Sequence, residues 1–205
     1  MQIELKPIAE YRKEYSVYAL FEGEDRRFAD IVRKEHAEDS IDAYIIMINP
    51  GSCHKESEVN PVIDTAFYKG FNMVEAVSDP AQKCVMALMD VCKMNKIRIL
   101  NLFDYANGNL AEALEHKGIS IFDDRRAADR RRYMPTDAVC IAAWGIDSTL
   151  LEYKKMAYEC LGGERIIGYP KNEDKYEYRY IKPRGQKEQK LVISKIADEY
   201  LSRKA

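Results

Sequence analysis

Three strongly apolar runs, at residues 42–48, 96–100 and 137–144, constrain the fold of this chain more than any other feature of its sequence. A strand that is buried on both faces lacks the alternation of polar and apolar residues that a half-exposed strand shows. Helical patterns separate the runs, and strands that alternate with helices favour a parallel sheet covered on both faces. The sequence therefore predicts an α/β fold, a three-layer α/β/α arrangement with a central, mostly parallel sheet.

The segments around the apolar runs predict the other elements. Residues 15–21 alternate and predict a strand. A turn at Gly23 and Asp25 follows, and the charged residues 26–38 predict a helix. Periodicity is poor from 52 to 78, which predicts a long excursion over the end of a strand. The remaining predicted elements are a strand at 165–168 and helices at 80–94, 109–114, 123–132, 147–161 and 191–201.

Composition and charge bound the class of protein. With 205 residues, 46% of them hydrophobic, the chain suffices for a single α/β domain over residues 1–205. The 32 basic and 34 acidic residues give a net charge of -2, so any contact with nucleic acid must be local. No apolar run approaches the roughly 18 residues of a membrane helix, and the start of the chain does not resemble a leader. We therefore expect a cytoplasmic protein with no membrane contact.

Metal and thiol chemistry find little support in the sequence. The five cysteines form no Cys-x-x-Cys pair, which favours reduced thiols over a disulfide framework or a zinc site. His36, His54 and His116 lie on separate segments without the spacing of metal ligands. The sequence therefore predicts no metal site and no cofactor.

A cluster of five arginines between residues 125 and 132 is the one local concentration of positive charge. Such a cluster can bind phosphate groups. Asp123, Asp124 and Asp129 lie among the arginines, however, and this pattern is more typical of an ion-paired helix face.

The loops that follow the three apolar runs carry the candidate functional residues. Ligands of parallel α/β sheets bind outside the carboxyl ends of the strands, where loops converge. Asn49 offers an amide at a turn that Pro50 holds, and Gly51 permits the close approach of a ligand. We therefore predict one pocket, to which Asn49, Phe103 and Trp144 contribute. The predicted ligand-binding residues are Pro50, Gly51, Ser52, Asn101, Phe103, Asp104, Trp144 and Gly145.

A purely structural interpretation of these loops stays open. Asparagine, proline and glycine dominate turns in all classes of protein, so residues 49–51 can form an ordinary turn. The ring of Trp144 can be either a core aromatic or a stacking surface for a planar ligand.

Three motifs of the chain resemble an uncharacterised bacterial family, the domain of unknown function numbered 1643. The motifs are Met-Ile-Asn-Pro-Gly-Ser at 47–52, Asn-Leu-Phe at 101–103 and Ala-Ala-Trp-Gly at 142–145. The family reads Met-Leu-Asn-Pro-Ser, Asn-Leu-Phe and Ala-Trp-Gly in the same order. The resemblance spans residues 15–170 and implies a shared fold, but it implies no activity.

The loop at 48–51 also has a more distant resemblance, to the Gly-Ile-Asn-Pro-Gly loop of mismatch-specific uracil-DNA glycosylases. The matching asparagine of those enzymes positions the attacking water. The resemblance implies a uracil-DNA-glycosylase-like fold with Asn49 as the catalytic residue. Trp144 or Phe103 would then stack on a base extruded from the nucleic acid.

Two functions of different classes are consistent with the sequence. The first is a hydrolase that acts on a nucleobase, a nucleoside or a nucleic acid, with Asn49 holding the water. The alternative is a non-catalytic module that binds a nucleotide or another small ligand, because no general base is recognisable. The partner in either case is a nucleobase, a nucleotide or a nucleic acid, and the sequence gives no indication of the oligomeric state.

Overall fold

The computed structural model describes residues 3–23, 25–35, 40–55, 68, 70–116 and 118–204. The strands in these ranges are β1 (Tyr15–Glu22), β2 (Asp25–Arg33), β3 (Ala43–Met47), β4 (His54–Lys55), β5 (Met73–Val77), β6 (Lys96–Asn101), β7 (Val139–Ala142) and β8 (Ile166–Gly168). They form an eight-stranded sheet in the order β4-β5-β1-β2-β6-β3-β7-β8. The helices are α1 (Ile8–Glu14), α2 (Pro80–Cys92), α3 (Leu110–Glu115), α4 (Ala127–Tyr133), α5 (Leu151–Leu161) and α6 (Gln186–Lys204).

The sheet has an antiparallel half and a parallel half. The pairings from β4 through β5, β1 and β2 to β6 are all antiparallel. The pairings from β6 through β3 and β7 to β8 are all parallel. The mixed α/β class is therefore as predicted. A mostly parallel sheet is wrong for the molecule as a whole and right only for the half that carries the three apolar runs.

The main error of the sequence interpretation lies at residues 26–38. The part within the described ranges is the strand β2 and not a helix. Its charges suggested a solvated helix face, but Arg26 and Asp30 are buried in the folded chain. Since β2 pairs with a strand on each side, its backbone is satisfied in the sheet, and Asp30 finds its partner Arg98 across the strands.

The other predicted helices and strands are present. Asp79 begins α2 with a capping box, in which its side chain accepts hydrogen bonds from the backbone N–H groups of Ala81 and Gln82. Within the predicted excursion at 52–78, the structure describes β4 and β5, and residues 56–67 and 69 lie outside the described ranges. None of the described helices combines the length and the apolar character needed to cross a bilayer.

The sheet is buried on both faces. One face, here the first face, packs against α1, α2 and α6 through residues such as Tyr11, Leu88 and Ile196. The other, the second face, packs against α3, α4 and α5. The predicted sheet core is fully buried at Ile45, Ile46, Ile99, Leu100 and Ile141, and Val139 is half-buried because it begins its strand.

Replacement of Leu100 by alanine tests the burial of the central strand. Leu100 has no exposed surface, so truncation leaves a cavity on the second face. We expect Leu100→Ala to lower the free energy of unfolding by roughly 2–5 kcal/mol in chemical denaturation. The matched control is Leu191→Ala on α6, where the side chain is 47% exposed, and its effect should stay within about 0.5 kcal/mol. A loss at Leu100 as small as that of the control would contradict the burial of β6.

Candidate functional site

The three predicted loops leave the sheet at a common edge. Their strands β6, β3 and β7 are neighbours and run parallel, so all three carboxyl ends point the same way. Backbone hydrogen bonds extend the pairing beyond the strands, from the N–H of Leu102 to the carbonyl of Met47 (2.9 Å) and from the N–H of Ala143 to that of Ile46 (2.9 Å). The loops therefore start in register at one edge, as the sequence predicts.

Phe103 and Trp144 lie in the core of the second face. Neither side chain has exposed surface. The indole N–H of Trp144 donates to the carbonyl of Tyr176 (2.8 Å), and the ring of Tyr178 contacts the indole edge-on at 5.6 Å between centroids. Phe103 packs in the same manner against Tyr153. A planar ligand would reach either ring only if these tyrosines moved, so the two rings do not meet Asn49 in an open pocket here.

Asn49 is half-buried at the start of its loop, and its amide has a fixed orientation. Its Nδ2 donates a hydrogen bond to the carbonyl of Asn107 (2.7 Å), which belongs to the loop after β6. Within the described residues Oδ1 makes no hydrogen bond, so it remains available as an acceptor. This contact joins two of the predicted loops directly.

The glycines of the predicted site permit close approach of neighbouring elements. Gly51 has a φ of 63°, and a Cβ at this position would lie 3.0 Å from Oδ2 of Asp79 at the start of α2. Gly145 has a φ of 75°, and its Cβ would lie 3.7 Å from the Cβ of Tyr180. The predicted residues Pro50 and Ser52, which flank Gly51, are buried and exposed respectively. The edge of the first face is therefore lined by both glycines, Asp79 and Tyr180.

Asn101, the last residue of β6, places an unpartnered amide at this edge. Its side chain has no exposed surface, and neither Nδ2 nor Oδ1 forms a hydrogen bond within the described residues. Asn101 pairs in register with Met47, whose side chain packs on the first face. Each buried polar group without a partner costs about 1–3 kcal/mol. Groups of this kind in native structures often have a functional explanation.

Arg26 adds an unpartnered cation to the same face. Its side chain is 1% exposed, and Nε and Nη1 form no hydrogen bond within the described part of the chain. Arg26 pairs across the hairpin with Phe21, which packs on the first face. Burial raises the pKa of Tyr180, the charge of Asp79 raises that pKa further, and the charge of Arg26 lowers it. The three groups therefore share one electrostatic environment.

We call this group of residues the carboxyl-edge site. It comprises Arg26, Gly51, Asp79, Asn101, Gly145 and Tyr180. The sequence predicts Gly51, Asn101 and Gly145 from their positions after the apolar runs. The sequence does not predict Arg26, Asp79 and Tyr180 as site residues. Arg26 begins a segment with the charge pattern of a helix, and Tyr180 lies in a polar segment without periodicity. The start of α2 at Asp79 was a usable signal, since a helix start beside a strand end can contribute to a ligand site.

Asp104 lies beside this site, and one of its carboxylate oxygens, Oδ2, forms ion pairs, while Oδ1 is buried without a hydrogen-bond partner among the described residues. Its Oδ2 accepts hydrogen bonds from Nη1 of Arg27 (2.7 Å) and from Nη1 of Arg126 (2.6 Å). Of the arginine cluster at 125–132, Arg125 pairs with Asp123 and Arg126 also pairs with Asp129. The contacts of this cluster therefore favour the ion-paired interpretation over phosphate binding.

The described residues contain no group of three or more His, Cys, Asp or Glu side chains arranged to hold a metal ion. Comparisons with models of protein families, with curated proteins and with solved structures gave no match to the chain. The resemblances to the family numbered 1643 and to the uracil-DNA glycosylases stay predictions. The function must therefore be inferred from the geometry of the site.

Replacement of Gly51 by alanine tests the close approach of the Asn49 loop to α2. The matched control is Gly23→Ala, because Gly23 has nearly the same φ (62°) and a Cβ there would meet nothing within 4 Å. Asp79 cannot move away from Gly51 without weakening the cap of α2. We expect Gly51→Ala to lower the free energy of unfolding by about 1–3 kcal/mol more than the control. Equal losses in the two variants would show that the contact contributes nothing.

Proposed function

We propose that the protein binds a small ligand with a nucleobase-like edge at the carboxyl-edge site, as a nucleotide or small-ligand binding module. The observation that carries this proposal is the amide of Asn101, whose donor and acceptor are both buried and both without a partner in the described residues. The lactam or amidine edge of a nucleobase offers a neighbouring acceptor and donor, and an asparagine amide can bond both at once.

The engagement of Asp79 favours binding over turnover. A hydrolytic step needs a general base within hydrogen-bond reach of the attacking water. Asp79 is the carboxylate of the site, and its Oδ1 is already bonded to the N–H groups of Ala81 (2.8 Å) and Gln82 (2.9 Å). A carboxylate that caps a helix is held in place by the backbone N–H groups that donate to it, which suits a structural role.

Calorimetric titration with free bases and nucleosides tests the proposal, with Asn101→Leu as the variant. Leucine has a similar shape and no polar atoms, so the variant removes a buried amide without a large cavity. We expect binding to the wild type and a loss of at least about tenfold in the variant, the effect of one or two hydrogen bonds. The melting temperature should stay equal or rise, since the amide makes no hydrogen bond within the described residues that the variant could lose.

The control is Asn172→Leu at an exposed position, which should change neither property. The proposal is wrong if the wild type binds no base, nucleoside or nucleotide. It is also wrong if Asn101→Leu binds as well as the wild type. A large fall in melting temperature would instead assign the amide to the fold.

A second function, hydrolysis of a nucleobase from a nucleoside or nucleic acid, is favoured by the orientation of Asn49. Because Asn107 holds Nδ2, the amide oxygen is positioned to accept a hydrogen bond from a water. The two buried faces of the sheet are compatible with a three-layer fold like that of the uracil-DNA glycosylases. The substrate would be a base within a nucleoside or a nucleic acid, bound by local contacts in the cytoplasm.

A panel of oligonucleotides with uracil, hypoxanthine or mismatched bases tests this second function. Base release by the wild type and its loss in Asn49→Ala would support hydrolysis. The variant should unfold within about 1 kcal/mol of the wild type, because its side chain makes one hydrogen bond at a partly exposed position. Absence of base release from every oligonucleotide would leave binding as the function.

A further inference from the structure

Arg26 and Arg27 are neighbours in the sequence, but among the described residues only Arg27 has anionic partners. Arg27 pairs with Glu22 (2.8 Å), Asp25 (3.0 Å) and Asp104 (2.7 Å). Arg26 is more deeply buried, yet within the described residues it forms no ion pair, and its Nε and Nη1 form no hydrogen bond. A buried charge without a partner is strongly unfavourable.

Two of the nearby carboxylates form ion pairs with other arginines. Asp25 and Asp104 bind Arg27, and Asp104 also binds Arg126. The charges of Asp79 and Arg26 both act on the pKa of Tyr180, but one carboxylate oxygen of Asp79 caps α2. Among the described residues, none of these carboxylates forms an ion pair with Arg26, whose Nε and Nη1 stay without a hydrogen bond.

The positions of Arg26 and Asn101 determine whether one ligand could contact both residues. The two residues stand at the same edge of the neighbouring strands β2 and β6, where the backbone N–H of Arg26 donates to the carbonyl of Asp104 (2.9 Å). Both lie on the first face, since their registered partners Phe21 and Met47 pack there. The amide and the guanidinium therefore belong to the same edge and face, and a ligand that contacts both must enter among the groups that bury them.

We propose that Arg26 binds an oxyanion of the ligand, so that the carboxyl-edge site takes an anionic nucleobase derivative rather than a neutral base or nucleoside. The oxyanion is a phosphate, as in a nucleoside monophosphate, or a carboxylate, as in a carboxylated base. A guanidinium forms charge-assisted hydrogen bonds with either group. This inference rests on the proposed binding function and names the class of its ligand.

Titration of the wild type with matched neutral and anionic ligands tests the inference. The ligands are the nucleosides of uracil, cytosine, adenine, guanine and hypoxanthine, their 5′-monophosphates, uracil, and orotate as the carboxylated form of uracil. We expect at least one anionic ligand to bind about tenfold or more tightly than its neutral counterpart, as for a charge-assisted hydrogen bond. Preference for a monophosphate identifies a phosphate site, and preference for orotate identifies a carboxylate site.

Arg26→Gln, Arg26→Lys and the control Arg131→Gln then assign the preference to this residue. The glutamine variant should bind the anionic and neutral ligands equally. The lysine variant should keep part of the preference, because it retains the charge. Arg131 is exposed on α4, and its variant should behave as the wild type.

The possible failures are distinguishable. Equal binding of neutral and anionic ligands by the wild type overturns the inference and leaves the proposed function intact. An unchanged preference in Arg26→Gln also overturns it. If no base, nucleoside or nucleotide binds, but inorganic phosphate raises the melting temperature of the wild type and not of Arg26→Gln, the oxyanion site stands and the nucleobase proposal fails. Should Arg26→Gln not fold, the wild-type preference and the lysine variant decide.

Discussion

A buried ion pair between Asp30 and Arg98 joins the two halves of the sheet. The residues face each other across β2 and β6, where the antiparallel half meets the parallel half. Arg98 binds both carboxylate oxygens of Asp30, from Nε at 2.7 Å and from Nη2 at 2.8 Å. Tyr68 donates to the same carboxylate, and Nη1 of Arg98 donates to the carbonyl of Tyr133.

Loss of either Asp30 or Arg98 would leave a buried charge, at a cost of about 3–5 kcal/mol. The pair therefore fixes the register on which both edges of the sheet depend.

The same pair explains where prediction of the fold from sequence succeeds and fails. β3, β7 and α2 are predictable because their residues are apolar or follow one helical face. β2 is not, because the buried Asp30 becomes compatible with burial only through a partner far along the chain, Arg98. Local charge density cannot distinguish a strand of this kind from a solvated helix. Every antiparallel pairing of the sheet involves β2 or one of β4 and β5, which lie in the predicted excursion, so without these three strands the expected sheet is mostly parallel.

The candidate site was predictable in position but not in the face of the sheet that carries it. The carboxyl ends of parallel strands must emerge at one edge, so Gly51, Asn101 and Gly145 were placed correctly there. The face depends on strict alternation, and alternation stops where a strand ends. The side chain of Asn101 lies on the first face, whereas the next two side chains, those of Leu102 and Phe103, both pack on the second face. The sequence pattern carries no signal for that change at Phe103, whereas Trp144 continues the alternation of β7 onto the second face.

The environment of Trp144 gives the protein an optical property of its own. It is the one tryptophan of the chain, so the indole emission comes from a single position. That position is fully buried, and its N–H is bonded to the carbonyl of Tyr176 in the segment that precedes α6. Indole fluorescence shifts to longer wavelength when water reaches the ring. The emission maximum therefore reports whether this segment covers the second face, separately from events at the first.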